Sequence, residues 1–175
     1  RVAPVNFYRA VQSKDPRTLA STVALTFMGT RTDRWPKERL DGMSVFFSQI
    51  GYKPTGEWKE EIVYFDPGKA STPSTAGAPQ LPMFPDGTKA NFAPGQDPRE
   101  VFAAWLITPT NPWFARTAAN RVWYWLMGRG IIQEPDDIRS DNPPSNPELL
   151  GYLEKEVAAS RYDLKSLYRL ILNST

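Results

Sequence analysis

Four Asx-Pro dipeptides, Asp15-Pro16, Asp97-Pro98, Asn111-Pro112 and Asn146-Pro147, constrain this chain more than any other feature. An Asp or Asn side chain accepts hydrogen bonds from the free N–H groups of a starting helix, and proline at the first helical position gives up no bond. Each dipeptide precedes an apolar periodic segment, so each predicts a helix start. The helices expected run over about 16–28, 98–107, 112–127 and 147–160. Leu19, Val23 and Phe27, with Ala20 and Ala24, line one side of the first, and Gly29 is its natural stop. Another helix is expected over 36–49, where Leu40, Met43, Phe46, Phe47 and Ile50 make a wide apolar face. A last one begins near Asp163 and sets Leu164, Leu167, Tyr168 and Ile171 on one face.

Proline and glycine also say where helices cannot be. Residues 66–98 hold seven prolines and four glycines, including the low-complexity run ASTPSTAGAPQ at 70–80, which reads as a linker or a long surface loop. Just before it, Trp58–Phe65 is rich in β-branched and aromatic residues and ends at the turn signal Asp66-Pro67-Gly68, which predicts a strand. Residues 81–92, turning about Asp86-Gly87, are the best candidate for its partner. Residues 1–12 fit either a short strand or an irregular lead-in. The resulting class is mainly α: a small, bundle-like helical domain with a minor β hairpin or strand excursion in the middle of the chain. Its organisation is a helical N-terminal part over 1–65, a Pro/Gly-rich loop or linker over 66–97, and a helical domain over 98–175.

With 41% hydrophobic and 13% aromatic residues, 175 residues suffice to bury a core. Twenty-one basic and nineteen acidic residues leave a net charge of +2 with no long run of either sign, so bulk charge makes no case for nucleic acid or an anionic membrane. No apolar run approaches the roughly 20 residues needed to span a bilayer. There is no cysteine and no histidine. Disulfides, thiol nucleophiles, His-based triads and thiolate or imidazole metal sites are thereby excluded, and no cofactor is expected. The sequence begins at Arg1 without Met and its last helix stops at Ser174-Thr175 with no capping glycine, as expected of a processed product or a piece of a longer protein.

The chemistry concentrates in residues 111–142. On the predicted helix, Phe114, Ala118, Val122 and Trp125, with Ala115, Ala119 and Leu126 beside them, form a core stripe. Arg116, Asn120 and Tyr124 form a second stripe, flanked by Arg121 and Trp123. Gly128 and Gly130 supply left-handed conformations that end the helix, and Ile131 and Ile132 anchor the returning chain. The loop Gln133–Asn142 then carries Glu134, Asp136, Asp137 and Asp141. Four carboxylates against Arg116, Arg121, Arg129 and Arg139 suggest internal pairing, with Arg116 or Arg121 pinning the loop to the helix. The catalytic alternative uses Asp136 and Asp137, or Glu134, as acid and base on a sugar, although adjacent residues are poor evidence for the required carboxylate spacing. A divalent cation on Asp136, Asp137 and Asp141 does not match the EF-hand pattern, so no metal is expected.

The stretch NPWFARTAANRVWYWLMGRGIIQEPDDIRSDNPPSNPELL, continuing into YDLKSLYRLILNST, resembles a domain of unknown function found in large planctomycete exported proteins, many of which carry cytochrome c-type domains. The matching positions include Asn111, Pro112, Phe114 to Arg116, Asn120 to Trp123, Gly128 to Gly130, Pro135 to Asp137, Asn142 to Ser145 and Pro147 to Leu150. Asp33-Arg34-Trp35 and Phe46-Phe47 are similar to the end of the domain that usually precedes it, but the Cys-x-x-Cys-His stretch of that domain has no counterpart here. The resemblance implies an extracytoplasmic setting, in the periplasm or cell envelope, without implying an activity.

Two functions follow as expectations. One is a non-catalytic structural or interaction module that packs against other segments or subunits of a larger assembly, with Arg116, Asn120, Arg121, Trp123, Arg129, Arg139 and Asn142 as its binding or structural network. The other is a carboxylate-dependent carbohydrate-active enzyme, or a polysaccharide-binding module, built on the Asp136/Asp137 loop.

Overall fold

The computed structural model describes residues 14–56, 61–69 and 81–174. In chain order these carry α1 (Pro16–Met28), α2 (Lys37–Ser44) with a 3₁₀ turn (Val45–Phe47), β1 (Ile50–Pro54), β2 (Glu61–Phe65), α3 (Pro98–Leu106), α4 (Phe114–Met127), α5 (Pro147–Ala159) and α6 (Leu164–Leu172). The protein is mainly α with one two-stranded hairpin among the described residues. The readings for 1–12, for 58–60 and for the run 70–80 fall outside the described residues.

The chain forms two compact units, one of residues 1–22 and 33–104, the other of 23–32 and 105–175. In the first unit Asp15 accepts from the Thr18 N–H, as its place before Pro16 requires. The expected helix over 36–49 is shorter than its apolar pattern: α2 ends at Ser44 and tightens into the 3₁₀ turn, which buries Val45, Phe46 and Phe47 together. Phe46 stands at the centre of an aromatic cluster, with ring centroids 5.0 Å from Phe84, 5.4 Å from Phe92 and 5.2 Å from Phe102. The Pro/Gly-rich segment is thus irregular where it is described, yet it delivers Phe84 and Phe92 to this core.

The strand partner differs from expectation. β2 pairs antiparallel with β1, from Ile50 opposite Phe65 to Pro54 opposite Glu61, and not with 81–92. Joining neighbours through a short connection costs less closure entropy than reaching past a long breaker-rich loop. Ile50 hid this strand by continuing the helical spacing of Phe46 and Phe47. Gly51 permits the pairing, because a Cβ there would lie 2.3 Å from the Tyr64 ring. Residues 81–92 do turn about Asp86-Gly87, but they pair internally through a single Met83–Lys89 bridge.

In the second unit α4 packs chiefly on α5, and α6 closes against both. Ala115, Ala119 and Val122 of α4 meet Leu150, Leu153 and Val157 of α5 and Leu167 and Ile171 of α6, with Ile131, Ile132 and Ile138 from the connecting loop completing the core. Asn146 caps α5 by accepting from the Leu149 N–H at 3.0 Å, and Asp163 caps α6 by accepting from Lys165 N–H at 2.9 Å. Three residues of the predicted stripes are corrected: Trp125 is 61% and Leu164 43% exposed, while Asn120, assigned to the polar stripe, is wholly buried. The buried arc of α4 is rotated toward Ala115, Ala119 and Asn120 because the returning loop packs on that side. No helix among the described residues is long and apolar enough to cross a membrane.

Candidate functional site

The start of α4 is set by Asn111, though not as a simple helix cap. Its Oδ1 accepts from the Trp113 N–H at 3.0 Å and its Nδ2 donates to the Trp105 carbonyl at 3.3 Å, so it forms a local turn that ties the end of α3 to the start of α4. The helix therefore begins at Phe114, two residues beyond Pro112. At the far end Gly128 takes the left-handed conformation, φ +72°, and its N–H donates to the Tyr124 carbonyl. Gly130 does not adopt positive φ, which corrects the reading that both glycines do. What requires glycine at 130 is crowding: a Cβ would lie 2.3 Å from the Ile132 carbonyl oxygen and 3.3 Å from the Asn120 amide.

Asn120 is the hinge of the arrangement. Its Oδ1 accepts from the Ile132 N–H at 2.9 Å, and its Nδ2 donates to the Ile132 carbonyl at 3.0 Å and the Pro135 carbonyl at 3.4 Å. A side-chain amide thus does for Ile132 what a neighbouring strand would do, satisfying both polar groups of a buried residue that belongs to no sheet.

Arg121 extends the same stitching. Its Nε donates to Asp136 Oδ1 at 2.7 Å, its Nη2 to the Leu25 carbonyl at 2.8 Å, and its Nη1 to the Thr26 carbonyl. Leu25 and Thr26 lie in the last turn of α1, where carbonyls have no helical partner and a cation is favoured by the helix dipole. One guanidinium therefore caps one helix and holds the acidic loop. The Ile138 N–H also donates to the Gly29 carbonyl at 2.8 Å. Gly29 has φ +59°, and a Cβ on it would meet Ile138 Cδ1 and Thr117 Oγ1 at 2.9 Å.

The other charged residues resolve differently. Arg116 does not reach the loop: it pairs with Glu154 of α5, Nε to Oε1 at 2.6 Å and Nη2 to Oε2 at 3.4 Å. Arg139 lies between Asp137 at 3.0 Å and Asp141 at 3.3 Å. Asn142 Nδ2 donates to the Gln133 and Asp137 carbonyls at 2.7 and 2.9 Å, closing the loop on itself. Ser145 anchors its far end to the Ile131 carbonyl through both N–H and hydroxyl. Trp123 is half-buried against the core, whereas Arg129 and Glu134 are exposed.

Asp136 and Asp137, though consecutive, thus turn to different arginines. Among the described residues no three acidic side chains converge in a way that could hold a metal ion. The carbonyls of Leu25 and Thr26 were not foreseen as part of this network. Their only sequence signal was their position one turn before Gly29, which says that acceptors are free without saying what fills them.

Residues 98–175 match the family model described as PSD1, protein of unknown function (DUF1553). No match is found among curated proteins or among solved structures.

Proposed function

We propose that the second unit is a non-catalytic structural or protein-interaction module of a larger extracytoplasmic protein or assembly. The observation that carries this reading is the engagement of Arg116, Asn120, Arg121 and Asn142 by internal bonds. Asn120 serves Ile132 and Pro135, Arg121 serves Asp136 and the end of α1, Arg116 serves Glu154, and Asn142 serves the loop backbone. Groups engaged in this way make a loop rigid rather than leave it poised for substrate. Trp125, Met127 and Tyr152 of the same unit are exposed apolar side chains, which an interaction module can use. The periplasmic or envelope setting, a planctomycete source and association with cytochrome c-type domains belong to this proposal through the resemblance of the sequence.

A photo-crosslinking residue at the exposed position 125, in cells that make the protein, tests the reading. Discrete adducts with one polypeptide partner, absent when the residue is placed at exposed Lys155, are expected. A chain that stays free of polypeptide adducts and is monomeric refutes it. Turnover of an envelope polysaccharide by the wild type, lost in Asp136→Asn/Asp137→Asn, would establish the carbohydrate-active alternative instead.

A further inference from the structure

In the first unit, one hydrogen bond fixes which backbone groups of the β1–β2 hairpin point outward. The Asp66 N–H donates to the Gln49 carbonyl at 2.9 Å, one position beyond the pairing of Ile50 with Phe65. Hydrogen-bonded and non-hydrogen-bonded pairs alternate along an antiparallel ladder, so Gly51 bonds with Tyr64 and Lys53 with Ile62. Ile50, Tyr52 and Pro54 of β1, and Glu61, Val63 and Phe65 of β2, therefore turn their backbone groups away from the partner strand.

The two edges are finished differently. On β1 the outward Ile50 carbonyl accepts from Lys69 Nζ at 2.6 Å, Pro54 has no N–H to offer, and Lys53 adds an exposed charge. Lysine and proline on an edge strand are the usual means of keeping it from pairing. β2, with the sequence EIVYF, has neither. The outward backbone groups of Glu61, Val63 and Phe65 have no partner among the described residues, and Ile62 and Val63 are 56% and 39% exposed. Outward donors and acceptors repeating at strand spacing are matched by the backbone of another strand, and not by a helix, whose own groups bond internally.

The sequence of β2 specifies which strand. Outward residues must face outward residues, and the antiparallel register that overlaps all five positions of two copies is centred on Val63. Val63 then faces Val63, Ile62 faces Tyr64, and Glu61 faces Phe65 of the other copy, so apolar side chains meet and no like charges are opposed. We infer that β2 is a self-association edge, along which two copies of this chain pair about a two-fold axis at Val63 to make a four-stranded sheet. Both outer edges of that sheet are β1, blunted by Lys69 and Pro54, so assembly stops at the dimer. The inference concerns the first unit and does not rest on the reading of the second.

Sedimentation equilibrium of the full chain over a range of concentrations, with amide hydrogen exchange on the same samples, tests it. The mass should rise toward twice that of one chain, and the Val63 amide should gain protection as it does, while the Tyr64 amide, already bonded to β1, stays protected throughout. Val63→Pro removes the two central bonds of the new ladder and should weaken the dimer about ten-fold or more. It leaves the circular dichroism spectrum unchanged, because the lost N–H makes no bond to β1. Val63→Lys and Val63→Glu each set like charges opposite one another and should abolish the dimer, whereas an equal mixture of the two chains should recover it. If Val63→Pro disturbs the hairpin, the charged pair at this exposed position decides. A monomeric mass at every concentration overturns the inference, even if the edge captures some other polypeptide. So does a dimer that both charged variants keep, or one that their mixture fails to recover.

Discussion

Replacing Asn120 tests most directly whether the polar residues of α4 make the fold. In Asn120→Leu the side chain keeps its approximate volume, so no large cavity forms, but the N–H and carbonyl of Ile132 both lose their partner in the interior. Each buried, unsatisfied backbone group costs about 1–3 kcal/mol, which together gives a loss of about 2–6 kcal/mol. Asn120→Ala adds the lost contacts of a wholly buried side chain and falls at the upper end of that range or beyond it. Asn120→Asp separates geometry from bonding. Its first oxygen still accepts from the Ile132 N–H, but the second, where Nδ2 stood, faces the Ile132 and Pro135 carbonyls, acceptor against acceptor. Burial raises the pKa of that carboxyl in the folded protein, because the neutral acid can donate to Ile132 while the ion cannot. A raised folded pKa means that the folded state holds the proton more tightly, so the variant's stability relative to wild type is best below the unfolded pKa of about 4 and is lost as pH rises through the folded value. Urea unfolding at pH 4 and pH 7 reads the stabilities, and hydrogen exchange at the Ile132 amide reads the bond itself. A cost below about 1 kcal/mol for Asn120→Leu would refute the reasoning, as would unchanged protection of Ile132.

The two glycines after α4 should respond unequally: Gly128→Ala meets no atom within 4 Å and carries only the left-handed backbone penalty of about 1–2 kcal/mol, whereas Gly130→Ala meets the Ile132 carbonyl and should cost more and shift the Ile132 amide resonance, so equal thermal melts would contradict the crowding. In the first unit burial raises the Asp97 pKa, but hydrogen bonds from the Arg99 side chain and N–H outweigh it and hold the carboxyl below its usual 3.8. A depressed folded pKa contributes stability above the unfolded value that is lost as pH falls through the folded one. The gap between wild type and Asp97→Asn in urea melts, at most about 1 kcal/mol for this partly exposed pair, should therefore be full above about pH 4 and shrink in more acidic solution; a gap that widens there contradicts the assignment.

Much of this architecture was legible in the sequence where local chemistry decides it. The Asx-Pro starts at Asp15, Asp97 and Asn146, the stop at Gly29 and the turn at Asp86-Gly87 stand where capping and turn preferences place them. These signals depend on a few neighbouring residues and need no knowledge of the rest of the chain. Failures came where two remote segments meet. Ile50 looked like the continuation of a helix because its spacing suited one, and only pairing with Phe65 makes it a strand residue. Asn120 looked like part of a polar surface stripe because it is polar.

The sequence by itself determined that this chain is mainly helical and carries no cysteine or histidine, that three of its helices begin at Asx-Pro pairs, and that arginines and carboxylates gather in residues 111–142. Only the tertiary structure decided how those charges are spent, giving Arg116 to Glu154, Arg121 to Asp136 and the end of α1, and Arg139 to Asp137 and Asp141. The reason is physical. Composition fixes how many donors and acceptors a segment carries, and local spacing fixes which side of a helix they occupy. Which acceptor a buried donor finds depends on what the returning chain brings within about 3 Å of it, and that is settled when Ile131, Ile132 and Ile138 pack against α4.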